Sequence, residues 1–466
     1  MSYVRRLSRL FLVSIVSLVA VSMGAGIARA NPTLIAIGSI SGTYEDFATE
    51  TGAPLENGVR GNRLGGMGSG LAYAGGNTFV ALPDRGPNAK AYNSAVDDTT
   101  SYIARFQTLN LSLAPSDPGA ALPFVLTPMV VDTTLLWSSS ALVYGDGVAA
   151  GLPNGAPALN GKHTKYFTGR SDNFDPVKLS TNPQNARLDP EGIRVSNDGR
   201  RVYISDEYGP YIYEFDRESG QRTRAFTIPD NLAVAVQSAQ GDVEINGNTS
   251  GRVANKGMEG LAITPDGKTL VGIMQAPLIQ DGGKVVRILS VDIQSGKSHQ
   301  YAYALTTGTG VSEIVAVNNH EFLVDERDGK GQGDGSAAAA KQIFKIDLSG
   351  AADVGQISGS ANLAPLAVPK TLFLDVVSAL TAAGISAIHI PAKLEGMAFG
   401  PDVVLNGVVS HTLYIANDND FLAAVPDKNN VVVDNPNQYF VFAFGDGDLS
   451  FVPQKFKLDD GGDHRD

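Results

Sequence analysis

One unit recurs along this chain and restricts what it can fold into. It reads Glu-Gly-apolar, a short apolar run, a polar turn, a second apolar run and an acidic residue. The stretch "LDPEGIRVSNDGRRVYISDEYGP" (Leu188–Pro210) shows it most fully, with Glu191 before the first run and Asp206–Glu207 after the second. "MEGLAITPDGKTLVGIMQ" (Met258–Gln275) and "LEGMAFGPDVVLNGVVSHTLYIANDND" (Leu394–Asp420) repeat the form, the latter with a longer hairpin. "SEIVAVNNHEFLVDERDG" (Ser312–Gly329) is a tighter copy with Ile314 where Gly would stand, and "SGLAYAGGNTFVALPDRGPN" (Ser69–Asn88) carries Ser69 in the Glu position. The spacing agrees: 15 residues separate Glu191 from Asp206 and Ser69 from Asp84, and 12 separate Glu313 from Asp325 across a shorter turn. One unit departs, because 15 residues beyond Glu259 stands Met274, followed by Gln275.

Repeated antiparallel hairpins of this kind suggest radial packing, in which each blade covers its neighbour's apolar face. Other apolar runs are short and rich in Val, Ile, Tyr and Phe ("TFVALP", "VVRILSVDI", "QIFKIDL"), and the 52 Gly and 24 Pro mark frequent turns. The Asp-Gly pairs Asp198–Gly199 and Asp266–Gly267 read as hairpin turns. Helical periodicity is scarce, the best candidate being Lys370–Gly384. The expectation is an all-β fold, a β-propeller of six blades (seven being the alternative) with long inserted loops, occupying residues 31–466 as one domain. "TLIAIGSI" near the amino terminus and "QYFVFAFGDG" near the carboxy terminus are expected to complete one blade together and close the ring. The end from 457 on reads as a solvated tail.

In such a blade the residue before the first strand and the residue after the second lie at the same face. Glu191 with Asp206, Glu259, Glu313 with Asp325, Glu395 with Asn417–Asp418, and Ser69 with Asp84 are therefore expected around one mouth of the channel. Crowded carboxylates repel one another and call for protons or a cation. The chain has no Cys and 6 scattered His. An oxygen-rich ligand set favours a hard ion, Ca²⁺ first and Mg²⁺ or Mn²⁺ next. Glu191, Asp206, Glu259 and Glu395 are the expected metal ligands. Asp84, Glu207, Asp325 or Glu326 would supply a catalytic base or further ligands. Arg85 and Arg327 are the expected clamp for an anionic ester, with Lys256 and Lys393 as weaker candidates. "DERDGKGQGDG" (Asp325–Gly335) fails the acid spacing of an EF-hand, since Arg327 fills the third position, and reads after Asp328 as a mobile loop.

Residues 1–30 have the order of a secretory leader: Arg5, Arg6 and Arg9, an apolar run, then Ala28-Arg29-Ala30, with cleavage expected after Ala30. The mature protein is thus expected in the periplasm or outside the cell, monomeric and without a stable membrane anchor. The net charge of −12 becomes about −16 without the leader's four Arg, which argues against nucleic acid as a partner. No G-x-S-x-G elbow, dinucleotide fingerprint or P-loop is present.

Taken in order, "LPDRGPN", "LDPEGIRVSNDGRRVYISDEYGPYIYEFD", "NKGMEGLAITPDGKTL" and "LEGMAFGPD…LYIANDNDF" resemble the phytase-like family of secreted proteins, from about Ile37 to Phe444. The resemblance implies a propeller and hydrolysis of phosphoric or related esters. It carries no catalytic residues across, so the site rests on the hairpin geometry. The acidic motifs of the calcium-dependent propeller phytases of bacilli are missing. Two other readings stand beside a metal-dependent ester hydrolase: a periplasmic binding or scaffold propeller with a structural cation, and a lactonase-like hydrolase.

Overall fold

A computed structural model describes residues 32–89, 99–148 and 151–457. The leader expected at 1–30, and the tail beyond residue 457, lie outside the described residues.

Five antiparallel sheets stand around one axis, each contributing four strands from axis to rim. Blade 1 comprises Gly70–Tyr73, Thr78–Leu82, Arg105–Pro115 and Phe124–Leu135. Blade 2 comprises Pro190–Val195, Arg201–Asp206, Ile212–Asp216 and Arg222–Ala225. Blade 3 comprises Met258–Ile263, Thr269–Met274, Val285–Asp292 and Ser298–Ala304, and blade 4 Gly310–Ala316, Glu321–Arg327, Lys341–Asp347 and Lys370–Asp375. Blade 5 takes Leu394–Phe399, Val408–Asn417 and Asn437–Phe444 from the carboxy-terminal part, and its outermost strand, Thr33–Ile40, from the amino-terminal part. The two ends of the fold are thus hydrogen-bonded into one sheet, as the sequence suggested. The longer hairpin of blade 5 is extended by Val403–Leu405, which turns back through Asn406–Gly407, both at positive φ.

The blade count corrects the expected six or seven. The extra length lies in connections rather than blades. Among the described residues between Trp137 and Tyr166 the strands are the pair Trp137–Ser138 and Lys165–Tyr166, and between blades 2 and 3 the chain makes the short helix Gly241–Gly247. The segment expected as a helix, Lys370–Gly384, is also divided. Its Lys-Thr-Leu-Phe-Leu start completes blade 4 as a strand, and only Val376–Ala382 is helical, capped by Asp375, whose side chain accepts from Ser378 N.

Each inner strand packs against the inner strands of its two neighbours, closing the ring. With so few blades the axis is narrow, and this explains the Gly of the repeat. A Cβ on Gly192 would fall 2.6 Å from Leu261 N of the next inner strand, and one on Gly260 would fall 2.7 Å from Ile314 N. Between blades the core is a series of apolar layers, such as Val271, Ile273 and Ile288 of blade 3 against Phe322 and Val324 of blade 4.

The face opposite the repeated carboxylates is bridged by the carboxy-terminal chain. Chain 451–457 crosses it: Val452 N donates to Val317 O at 2.8 Å, Gln454 Nε2 to Val195 O at 2.8 Å, and Lys457 N to Asn197 O at 2.8 Å. Phe456 packs edge-on against Tyr73. Inside the channel, the Arg194 guanidinium donates to Leu71 O at 2.7 Å and Ile314 O at 2.9 Å, and lies 2.9 Å from Glu313 Oε2. Among the described residues no helix is long and apolar enough to cross a membrane.

Candidate metal centre

Four of the five inner strands carry a β-bulge at their first rungs, between Pro190 and Ile193, Met258 and Gly260, Val311 and Glu313, and Leu394 and Met397. A bulge sets two residues against one on the partner strand and re-aims a side chain. Glu191, Glu259, Glu313 and Glu395 each lie within or at the edge of such a bulge, and all are buried.

The carboxylates that converge most closely are Asp189, Glu191 and Glu207. One oxygen from each lies within 4.8 Å of the others, and the residues are 0%, 7% and 2% exposed. Asp189 is held from two sides. Arg85 donates to it through its backbone N–H at 3.0 Å and through Nη1 at 2.8 Å, and the Asp189 N–H donates to Asp206 Oδ2 at 2.6 Å. Glu207 accepts from Gly257 N at 3.0 Å. Glu259 adjoins the group. Its Oε1 accepts from Gln275 Nε2 at 2.8 Å, its carboxyl lies within hydrogen-bond reach of the Glu207 carboxyl, and its buried Oε2 meets no N–H or O–H donor. Gln275 follows Met274, the residue at which the second repeat departs from an acid, and stands one step on, where the first repeat has Glu207.

Further round the mouth, Arg327 is bound to Glu395 and donates to Ser312 Oγ at 2.5 Å. Lys393 pairs with Asp418 at 2.7 Å and with Asp420. Asp84 accepts from Gly86 N at 2.9 Å. Deeper in the channel Asp325 stands opposite Glu313, its Oδ1 buried without a partner.

Two expected site residues turn elsewhere. Asp206 gives one carboxylate oxygen to Asp189 N and the other to Gly209 N at 2.7 Å, so it shapes the loop that carries Asp189 and Glu207. Glu326 follows Asp325 on a strand and therefore faces the other way. Its Oε1 accepts from Thr306 N, Thr307 N and Gly308 N at 2.7–2.8 Å, and its Oε2 is bound to Lys370. The residue missed in the sequence is Asp189. A signal for it exists, since it precedes Glu191 by two and so shares a side of an extended chain. Chain 331–335, read as a mobile loop, is tied to the start of blade 5 through Gln332 N to Ile390 O and Ala392 N to Gln332 O.

The charge balance is uneven. Among the described residues, Asp84, Asp189, Glu191, Glu207, Glu259, Glu395, Asp418 and Asp420 share this mouth with the paired cations Arg85, Arg327 and Lys393 and with the exposed Lys256. Burial, with the neighbouring Asp189 charge, pushes Glu207 up to about 7. Burial and Glu259 raise Glu191 well above the usual carboxylate range, and burial with Glu207 and Glu395 does the same to Glu259. Asp84 is raised by burial and by Asp418. Burial also lifts Asp325 and Asp418 to about 7. Such a set takes up protons or a cation, and its all-oxygen donors suit a hard divalent ion.

A family model described as phytase-like, with esterase-like activity of phytase, matches residues 62–421. The chain belongs to this phytase-like family. The match takes in all of the inner strands and every carboxylate named above. An uncharacterized secreted protein of Arthroderma benhamiae is 30% identical to this phytase-like chain over 334 residues, covering 58% of this chain and 60% of that protein. The chain thus matches less than two thirds of that relative's length. Among solved structures, a putative 6-phosphogluconolactonase from Bacteroides uniformis is 13% identical, with 80% of this chain and 88% of that chain covered and a TM-score of 0.31. The hydrazine synthase of Kuenenia stuttgartiensis is 12% identical, with 76% and 78% covered and a TM-score of 0.32.

Proposed function

We propose that this phytase-like propeller is a secreted, metal-dependent hydrolase of phosphoric or related esters, and that Asp189, Glu191 and Glu207 hold the ion, with Glu259 as a fourth donor. The observation that carries the reading is the convergence of three buried carboxylates within 4.8 Å, beside the buried Oε2 of Glu259, which meets no N–H or O–H donor. Ca²⁺ is the first choice for such donors, with Mg²⁺ or Mn²⁺ as alternatives. When bound, the ion supplies Lewis-acid polarisation of the ester oxygen and acidifies a water. The chain supplies the rest. Arg85 and Arg327 orient an anionic ester over the mouth. Asp84, at the mouth beside Arg85 and with its pKa raised by burial and by Asp418, takes the proton from the attacking water. Arg194 occupies the channel interior and chain 451–457 bridges its far end, so the acidic mouth is the side offered to substrate.

The test is turnover of a phosphomonoester, a carboxylic ester and a lactone by the purified protein, with chelator and with Ca²⁺ restored. Phosphoric-ester hydrolysis lost with chelator and regained with Ca²⁺ supports the reading. Turnover that ignores chelator, or no turnover on any substrate by folded, metal-loaded protein, removes it. Lactone turnover alone would move the assignment to a lactonase.

A further inference from the structure

The mouth has a second compartment beside the carboxylates. A pocket of about 140 Å³ is lined by Lys256, Gln275, Thr309, Gly310, Ser312 and Arg327. Its volume is that of about five waters, enough for one oxyanion group and little more. It adjoins the proposed centre directly, because Gln275, on its wall, donates to Glu259 Oε1.

The cations of this mouth are not equally committed. Arg85 is paired with Asp189, Arg327 with Glu395 and Lys393 with Asp418 and Asp420. The buried Lys341 donates to Ala392 O at 2.7 Å and lies 3.5 Å from Asp328 Oδ1. Lys256 differs: it is exposed, and among the described residues no carboxylate pairs with it. An exposed ammonium of this kind is free to meet an incoming anion. Arg327 also retains capacity. Its Nε is spent on Ser312 and its Nη2 on Glu395, but its Nη1 makes only a 3.5 Å contact with Asp328 O. An ammonium with no carboxylate partner among the described residues and a guanidinium with spare N–H groups thus line one small polar pocket. Ser312 and Thr309 add hydroxyls to the wall. Such a wall suits three- or four-oxygen anions, which accept several charge-assisted hydrogen bonds at once.

We propose that this pocket, with Lys256 and Arg327 on its walls, binds an oxyanion group of the substrate. The inference rests on the hydrolase reading and deepens it, since it makes the substrate an anionic ester and puts its recognition on the blade 3–blade 4 side of the ion. The anion can be a phosphate or a carboxylate, and the probes separate the two.

The experiment titrates inorganic phosphate, and separately acetate, into the full-length mature protein by calorimetry, in chelator and in Ca²⁺. It is repeated with Lys256→Ala and Lys256→Glu. A Ca²⁺ titration of each protein runs beside it. The expected result is phosphate affinity about tenfold weaker in Lys256→Ala, the size of one charge-assisted contact, and weaker still in Lys256→Glu, while Ca²⁺ binds at least as tightly as to wild type. The same dependence on Lys256 with acetate but not phosphate assigns a carboxylate. Lys256-dependent anion binding without any Ca²⁺ binding keeps the pocket and removes the metal reading. Anion binding equal in wild type and both variants, or absent in both buffers, overturns the proposal.

Discussion

Glu207→Gln separates the electrostatic strain of the mouth from its capacity for metal. Burial next to Asp189 moves the Glu207 pKa from 4.5 to about 7. At 1.36 kcal/mol per unit, ionising it in the fold costs up to about 3 kcal/mol. The folded pKa lies above the unfolded one. The group's favourable contribution is therefore complete below about pH 4.5 and is lost as pH rises toward about 7. Gln retains the oxygen that accepts from Gly257 N at 3.0 Å and cannot ionise. In chelator at pH 8 the variant is thus predicted to be more stable than wild type by up to about 3 kcal/mol, with the curves converging toward pH 4.5. Calcium reverses the comparison. At one hundred times its dissociation constant it adds about 2.7 kcal/mol to wild type, and the variant forgoes most of this. Urea unfolding at pH 4.5 and pH 8, in EDTA and in CaCl₂, reads all four corners. A variant less stable than wild type at pH 8 in EDTA, or one with the full calcium gain, refutes the reasoning.

Gly260→Ala drives a Cβ to within 2.7–2.8 Å of the Ile314 and Glu313 backbone and should cost about 1–3 kcal/mol by chemical unfolding, whereas Gly447→Ala, which meets nothing within 4 Å, should stay within about 0.5 kcal/mol of wild type. Glu326→Gln leaves Lys370 without its carboxylate partner, so stability should fall while the calcium dissociation constant stays at the wild-type value; a large loss of calcium affinity would return Glu326 to the site. Asp206→Ala removes the acceptor for Asp189 N and Gly209 N, and should lower both stability, by about 1–3 kcal/mol, and calcium affinity, because the loop carrying Asp189 and Glu207 loosens. A chain ending at Ser450 loses the bonds from Val452, Gln454 and Lys457 across the face opposite the carboxylates and should show a lower melting temperature.

The parts of this account legible in the sequence are those that depend on alternation and turn chemistry. The Glu-Gly units, the Asp-Gly turns and the apolar runs mark five hairpins, and these five are the inner hairpins of the five blades. The pairing of Thr33–Ile40 with Asn437–Phe444 was legible because both ends carry a strand that needs a partner. The blade count was not, because long connections such as the one from Ser138 to Lys165 look, by length alone, like room for another sheet. Within the site, position in the repeat placed Glu191, Glu259 and Glu395 at one mouth. It did not separate Asp325 from Glu326, because a one-residue step on a strand reverses the face and the register is fixed only by pairing with Val311 and Glu313. Nor did it show that both Asp206 oxygens are taken by backbone amides, a decision made by the turn at Gly209. Asp189 was hidden in front of Pro190, where it reads as a turn residue until Arg85, from another blade, fixes its carboxylate.

The most direct test is an anomalous difference map from crystals of the protein soaked in Mn²⁺, which takes the same oxygen donors. The account predicts one dominant peak in coordination distance of Asp189, Glu191 and Glu207, absent from crystals of Glu191→Gln. No peak at the mouth, or a peak bound only by residues elsewhere on the propeller, contradicts it.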